Sequence, residues 1–131
     1  MHHMSKDFIT AIIPPMHSDQ KEVLREFFCS RFNVRRIEFF FVENPEIIFA
    51  HGAYNTNISR LYSRLRNSVG WQSEQRMVLV SCQTNGLVAE GEQFQLLTWA
   101  TNNLEKKFPG ITVDGVRMDS QNQISVMGRA G

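Results

Sequence analysis

The sequence lacks the features that mark several common classes of protein. Its longest strongly apolar run, Phe39 to Val42, is far too short to cross a bilayer, so we expect no membrane association of that kind. No basic segment followed by an apolar one precedes Asp7, so we expect no secretory signal. The two cysteines, Cys29 and Cys82, predict buried free thiols in a reducing compartment, which by default is the cytoplasm.

Signatures of common cofactor and metal sites are also missing. The chain has no P-loop, no dinucleotide fingerprint, no serine nucleophile elbow and no pair of catalytic carboxylates. The two cysteines, His17 and His51 lack the spacing of metal ligands, so we predict no metal and no cofactor. A net charge of +1 gives no global attraction to nucleic acid or membrane, and any such attraction must be local.

The sequence does contain enough apolar residues for one globular domain over residues 1–131. Of these residues 42% are hydrophobic and 21% are charged, which is typical of a folded soluble chain. The clearest pattern is an apolar strand at Met77–Cys82, a break at Thr84–Gly86, and a helical stripe that ends at Phe108. Ile111–Val113 resumes the strand pattern, so this segment predicts a right-handed parallel β-α-β unit.

The first third of the chain has a similar order of patterns. Phe8–Ile13 predicts a strand, Asp19–Phe32 an amphipathic helix and Ile37–Val42 a second strand. Glu43–Glu46 is typical of a turn, and Ile47–Ala50 then predicts a short third strand. A basic helix from Asn55, a polar linker and the β-α-β unit follow, and Ile124–Met127 predicts a last short strand.

These patterns predict an α/β (α+β) fold and leave two arrangements open. The preferred one has two β-α-β-β halves, residues 5–52 and 76–131, in one mixed sheet with helices on one face. Residues 53–75 then form an inserted basic helix and linker between the halves. The alternative is a ferredoxin-like sandwich with a C-terminal extension. In the preferred arrangement an apolar sheet face needs cover, which predicts a homo-oligomer if the inserted helix does not supply it.

Several segments resemble the tautomerase superfamily, which includes the branch of macrophage migration inhibitory factor. Phe8–Ile13 and His17–Leu24 resemble that family's first strand and helix start. Phe49–Gly52 falls where members often have a glycine-rich turn, and Ser81–Gly86 is similar to the second half. The resemblance implies two β-α-β-β halves, a trimer, and proton transfer next to a carbonyl group in a small oxo acid or another anion.

Family enzymes use an amino-terminal proline as the acid-base group, and no proline begins this chain. Lys6, just before the first predicted strand, is the candidate amine in its place, because a desolvated lysine can act as a base. The protein is therefore expected to be an isomerase-like enzyme or a catalytically inactive binding module. A solvated lysine at the strand entrance is the alternative for Lys6.

Arginine residues are the candidates for gripping an anion. Arg31 lies at the end of the first predicted helix, and Arg35 and Arg36 follow it. All three could bind a carboxylate or phosphate through bidentate hydrogen bonds. His17 and His51 each follow a predicted strand, where a proton donor would be useful. The alternative is a solvated basic face whose charge is offset by nearby acids, namely Glu26, Glu38, Glu43 and Glu46.

The inserted helix supports a second hypothesis, an accessory module that binds nucleic acid or a partner protein. Arg60, Arg64 and Arg66 lie on this helix, and no acidic residue occurs from Asn55 to Gly70. Such a helix could lie along phosphates. A purely structural amphipathic helix is the alternative.

Overall fold

A computed structural model describes residues 8–52, 58–69, 76–82 and 90–127. The predicted turn at Thr84–Gly86 and the polar linker before Arg76 lie outside these ranges, as does the predicted start of the basic helix at Asn55. In chain order the elements are β1 (Phe8–Ile13), α1 (Ser18–Phe32), β2 (Arg36–Phe41), α2 (Pro45–Ala50), α3 (Ile58–Val69), β3 (Arg76–Cys82), α4 (Glu90–Lys107), β4 (Thr112–Met118) and β5 (Ile124–Val126).

The described strands form one mixed sheet in the order β2-β1-β3-β4-β5. The first four are parallel, and β5 is antiparallel to β4 through the pair Arg117 and Ser125. The units β1-α1-β2 and β3-α4-β4 each join neighbouring parallel strands. The predicted α/β class with a mixed sheet is therefore confirmed, together with both predicted β-α-β units and the last short strand.

Side chains that alternate along the strands divide the core between the two faces of the sheet. Leu24 and Phe28 of α1 pack on one face, against alternate residues of β1, β3 and β4. Leu97 and Leu104 of α4 pack on the opposite face, together with Phe49 of α2 and with Leu65 of α3. The prediction that the helices share one face is therefore wrong, because each strand is apolar on both sides and each side needs its own cover.

This arrangement removes the physical reason for expecting an oligomer. The expectation depended on a sheet face that no helix of the same chain covered. Helices of the described chain contribute buried side chains to the cores on both faces. The homo-oligomer stays a prediction, and its trimeric form now depends on the family resemblance alone.

The predicted third strand at Ile47–Ala50 is wrong, because these residues belong to the helix α2. Asn44 has a left-handed backbone (φ 49°), and Pro45 follows at the first helical turn, where its missing N–H costs nothing. A run of four apolar residues is too short for its hydrophobic periodicity to distinguish a strand from a buried helix. The side-chain amide of Asn103 in α4 donates to the carbonyl oxygens of Phe49 (2.8 Å) and Ala50 (3.3 Å) and so satisfies the end of α2.

The first half is consequently β-α-β-α in its described part, and the predicted β-α-β-β repeat fails there. The chain leaves the carboxyl end of β2, descends through α2 and α3 on one face, and enters β3 on the far side of β1. This crossing past β1 reverses the direction in which strands are added to the sheet.

Thr10 in β1 provides a test of the buried core. Its side chain is fully buried, and its hydroxyl has no hydrogen-bond partner among the described residues. Replacing that hydroxyl with a methyl group in Thr10→Val removes a buried polar atom that has nothing to bond. We expect the free energy of unfolding to rise by about 1 kcal/mol, as measured by urea denaturation.

Thr101→Val is the matched control. Thr101 is also buried, but its hydroxyl donates to the carbonyl oxygen of Thr98 at 3.1 Å. The same substitution should therefore lower stability at this position. A loss of stability in Thr10→Val comparable to that in Thr101→Val would show that the Thr10 hydroxyl is bonded.

Candidate functional site

The reversal of strand order lies between β1 and β3. From the carboxyl end of β1 the chain enters α1 on one face of the sheet, whereas α4, which follows β3, covers the other face. Where the segments after two neighbouring parallel strands diverge in this way, they open a crevice at the carboxyl edge, and ligands of such sheets bind there. The strand topology alone therefore indicates a ligand-binding site at the carboxyl edge between β1 and β3.

A cleft with a volume of about 550 Å³ lies at this edge. Its wall is formed by the segment after β1, the first turn of α1, the start of α2 and the last residue of β3. The lining residues are Pro14, Pro15, Met16, His17, Gln20, Asn44, Pro45, Glu46 and Cys82. The walls thus combine rigid apolar rings with a few polar groups, a composition typical of small-molecule sites.

Glu46 is the carboxyl group of this cleft. The left-handed turn at Asn44 and the buried ring of Pro45 carry its side chain inward at the first turn of α2, where it is 6% exposed. Its Oε1 atom has no hydrogen-bond partner among the described residues. Burial raises the pKa of the Glu46 carboxyl above the ordinary value of 4.5, and hydrogen bonds from its own backbone N–H and from Ser81 offset part of the rise.

A network of hydrogen-bonded polar side chains lies near this carboxyl group. Ser81 is fully buried on β3, and Gln93 at the start of α4 is 2% exposed. The Nε2 atom of Gln93 donates to the Ser81 hydroxyl, and the Nε atom of Arg117 donates to the Oε1 atom of Gln93 at 3.0 Å. Hydrogen bonds therefore join the side chains of three elements, β3, α4 and β4, next to the cleft residue Cys82.

Cys82 is a free thiol that lines the cleft. Burial, and secondly the nearby Glu46 carboxylate, raise the pKa of the Cys82 thiol to about 11. The thiolate is the nucleophilic form of cysteine, and at neutral pH this group stays protonated. Cys82 is therefore a wall of the cleft rather than its nucleophile.

His17 lies at the opposite wall, immediately before α1. Its backbone N–H donates to the Oε1 atom of Gln20 at 3.3 Å, and the Nε2 atom of Gln20 donates to the Oδ1 atom of Asn122 at 3.4 Å. The imidazole is exposed, so it can contact a ligand that enters from solvent. Its predicted role as a proton donor stays a prediction.

The arginine residues predicted to bind an anion lie away from the cleft. Arg31 is in the last turn of α1. Arg35 immediately precedes β2 and Arg36 begins it, at the amino edge of the sheet and not at the edge with the cleft. The guanidinium group of Arg36 pairs with the Glu38 carboxylate at 3.0 Å. Lys6 falls outside the described residues, so its role stays a prediction.

His51 is likewise separate from the cleft. It is the exposed residue after α2, and its ring meets the edge of the Trp99 ring at 6.3 Å between centroids. None of the arginines predicted to grip an anion joins His51 or the cleft in the described part of the chain. The structure thus does not bring the predicted substrate-binding residues together.

The three arginines of α3 share one helix, as predicted. Arg60 and Arg64 are exposed, and the guanidinium group of Arg64 lies 5.4 Å from the centre of the Phe40 ring. The guanidinium group of Arg66 lies 5.6 Å from the centre of the Phe108 ring. Two of the three guanidinium groups of α3 therefore pack against aromatic rings of the core.

Sequence reasoning missed the groups that define the cleft. The sequence favours Glu46 as one of several acids that offset a basic face, whereas its side chain is buried. The only local signal was Asn44-Pro45 immediately before it, which permits a left-handed turn followed by a helix start. Ser81 and Gln93 carried no signal, because a serine in an apolar strand and a glutamine in a helical stripe are both ordinary.

Comparisons with known proteins add no assignment, since the chain matches no family model, no curated protein and no solved structure. Within the described ranges, histidine, cysteine, aspartate and glutamate form no group of three or more that could hold a metal ion. No helix in the described part of the chain is long and apolar enough to span a membrane.

Glu46→Gln tests the burial of this carboxyl through the pH dependence of stability. The raised pKa means that the folded protein holds the Glu46 proton more tightly than the unfolded chain does. Its contribution to stability is therefore present below pH 4.5 and is lost as pH rises through the folded pKa. Glutamine stays neutral throughout, so the variant should gain stability over wild type as pH rises to 7.

Chemical denaturation at several pH values between 4 and 7.5 measures this difference. Glu43→Gln is the control, because Glu43 is an exposed neighbour in the same turn. It should follow the wild-type curve. If Glu46→Gln is less stable than wild type at pH 7, then the ionised Glu46 carboxylate has enough hydrogen-bond partners in the folded protein, and its burial does not destabilise the fold.

Proposed function

We propose that this protein binds a small polar molecule in the cleft at the carboxyl edge, and that Glu46 exchanges a proton with it. The observation that carries the proposal is a buried carboxyl side chain on the wall of a cleft large enough for a metabolite, with an Oε1 atom that has no hydrogen-bond partner among the described residues. A buried oxygen without a partner is costly in the ionised carboxylate, and this cost favours the protonated carboxyl that can donate to a ligand.

The ligand class that fits best is a small oxo acid. A carbonyl oxygen of the ligand can accept a hydrogen bond from the protonated Glu46 carboxyl, and the amino end of α1, where His17 stands, favours a negative group. The proposal keeps the chemistry that the family resemblance implies, proton transfer next to a carbonyl. It moves the acid-base group from Lys6 to Glu46.

The raised pKa of Glu46 supports this assignment. Proton transfer is most efficient when the pKa of the acid-base group lies close to the working pH, and burial moves this carboxyl in that direction. Cys82 contributes no charge at neutral pH, since its pKa is about 11. The described lining contains no lysine or arginine that would hold Glu46 permanently ionised.

Ketonisation of an enol-form 2-oxo acid, followed by ultraviolet absorbance, tests the proposal. Glu46→Gln should lower kcat/KM by about a hundredfold or more, because a misprotonated or absent acid-base group typically costs this much. Lys6→Ala and the surface control Glu43→Gln should retain wild-type activity.

The outcomes separate the candidate groups. Loss of activity in Lys6→Ala with retention in Glu46→Gln would return the acid-base role to the amine. Absence of activity, combined with binding of a 2-oxo acid that Glu46→Gln abolishes, would assign a binding module without turnover. Activity and binding that are both unaffected by Glu46→Gln would contradict the proposal.

A second candidate function is contact with nucleic acid phosphates through α3. The observation that favours it is a contact between cationic elements, since Lys107 in the last turn of α4 lies against α3, which carries the three arginines. The ammonium group of Lys107 lies 5.2 Å from the centre of the Tyr62 ring in α3. The exposed guanidinium groups of Arg60 and Arg64 lie one helical turn apart, a spacing at which both can reach one strand of phosphates.

Titration of single- and double-stranded nucleic acid at several salt concentrations tests this function. Each phosphate contact that is lost should flatten the slope of log K against log salt by about 0.7 to 0.9. The double variant Arg60→Ala/Arg64→Ala should bind more weakly with a flatter slope. Arg31→Ala/Arg35→Ala, which removes the same charge at the amino edge, should bind like wild type.

Equal weakening by both double variants would show an effect of net charge alone. Equal, weak binding by wild type and both variants would leave α3 as a structural helix. The predicted trimer is a separate matter, and its only support is the family resemblance.

A further inference from the structure

The strand β2 forms one edge of the sheet, and no described strand pairs with its outer side. The N–H group of Val42, just after β2, donates to the carbonyl oxygen of Ile13 in β1 at 3.0 Å. Backbone groups of successive residues in a strand point to opposite sides, so the even-numbered residues of β2 face β1 and the odd-numbered ones face away. The backbone groups that point outward belong to Ile37, Phe39 and Phe41.

This edge has few of the features that usually keep an edge strand from pairing. The strand is six residues long, contains no proline or lysine, and keeps continuous register with β1 from Arg36 to Phe41 without a bulge. Its two charged side chains, Arg36 and Glu38, pair with each other at 3.0 Å. Phe41 is 48% exposed. A flat and largely apolar edge of this kind is expected to accept a further strand.

The segment from Arg35 to Glu43 is complementary to itself when a second copy runs antiparallel to it. With Phe39 opposite Phe39 of the copy, Arg35 of each chain lies opposite Glu43 of the other. Both of these charged residues are exposed in the single chain. Phe41 then lies opposite Ile37 of the copy, so that apolar residues meet in the centre and opposite charges meet at both ends.

The same register satisfies the outward backbone groups of the strand. Ile37, Phe39 and Phe41 each lie opposite an outward-facing residue of the copy. In an antiparallel ladder each such pair exchanges both of its N–H···O hydrogen bonds. All of these pairs fall within the extended residues of β2.

Neighbouring registers fit less well. A pair centred on Glu38 would set two Glu38 carboxylates opposite each other, and a pair centred on Phe40 would set Glu43 opposite Ile37. A pair centred on Ile37 would place the exposed phenylalanine opposite Asn33, whose left-handed backbone (φ 55°) is not extended. The centre at Phe39 is therefore favoured by charge and by backbone conformation together.

Two cations lie near this edge and belong to α1. The Lys21 ammonium group is 5.3 Å from the centre of the Phe41 ring, and the Arg25 guanidinium group is 5.1 Å from the centre of the Phe39 ring. Because α1 packs on a face of the sheet, these cations approach the rings from that face. The outward backbone groups lie in the plane of the sheet, where a further strand would pair.

We propose that a second copy of this chain pairs with the outer edge of β2, antiparallel and centred on Phe39, so that the two sheets join across a twofold axis. The pair is a dimer, and it differs from the trimer that the family resemblance implies. It does not depend on the proposed function, since neither Arg35 nor Glu43 lines the cleft.

Sedimentation velocity over a series of protein concentrations tests the pairing. We expect wild type to shift reversibly from monomer to dimer. Phe41→Thr removes the exposed ring and keeps a residue suited to a strand, and each ring occurs twice in the symmetric pair. The dissociation constant of this variant should therefore rise by about tenfold or more.

Trp99→Gln is the matched control for Phe41→Thr. Trp99 is the other large apolar side chain that is exposed in the described part of the chain, at 46%, and it lies on the helix α4. This variant should dimerise like wild type. Dimers that are weakened by Trp99→Gln and unaffected by Phe41→Thr would place the interface on α4 and overturn the proposal.

Arg35→Glu and Glu43→Arg test the register. Arg35→Glu alone sets two acidic groups opposite each other at both ends of the pair, and Glu43→Arg alone sets two basic groups there. Each variant should therefore dimerise more weakly than wild type. An equal mixture of the two variants restores opposite charges at both ends and should form a heterodimer, with a preference that weakens as salt is added.

Three further results would overturn the proposal. A wild-type chain that stays monomeric up to about 1 mM, where even a weak specific pair forms, would exclude the dimer. A trimer would contradict the twofold pairing. Single charge variants that dimerise like wild type, with no gain on mixing, would show that the copies pair elsewhere. If Phe41→Thr does not fold, the mixing experiment decides alone, because it changes only exposed side chains.

Discussion

Burial of one carboxyl group at the reversal of strand order is the constraint on which this account depends. The two segments that leave β1 and β3 diverge to opposite faces of the sheet, and Glu46 enters the gap from the first turn of α2. Removing a carboxylate from water is expensive, so it needs donors, a proton or a ligand. Hydrogen bonding from Ser81 lowers the pKa of Glu46 and offsets part of the effect of burial, while the Oε1 atom has no hydrogen-bond partner in the described part of the chain.

The sequence was sufficient to predict the α/β class and the two parallel β-α-β units. Strands such as Met77–Cys82 are apolar on both faces, and that pattern demands cover from both sides. The stripes of α1 and α4 have helical spacing over 15 and 18 residues, which is long enough for the period to be unambiguous. Such patterns do not determine the order of the strands in the sheet. Two repeated β-α-β-β halves and a chain that crosses past β1 would both give the same hydrophobic patterns.

The candidate site was hidden for the same reason. Ile47–Ala50 is too short to show a period, so its sequence predicts a strand where the helix α2 lies, and Glu46 has the pattern of a surface charge. A sequence shows directly which residues are charged, as it does for the arginines, but it does not show which side chains are buried. Arg64 and Arg66 in fact cover the rings of Phe40 and Phe108, and Arg36 pairs with Glu38. Only the tertiary fold brings together residues from α1, α2 and β3.

The central claim, that the cleft beside Glu46 is the ligand site, is tested most directly by mapping a ligand on the isotope-labelled protein. Backbone amide NMR spectra recorded during addition of a 2-oxo acid would report every residue whose surroundings change. We expect saturable shifts concentrated at His17, Glu46 and Cys82, with α3 and the amino edge at Arg35 unaffected. Shifts that saturate at α3 or at the amino edge, with none at the cleft, would contradict it.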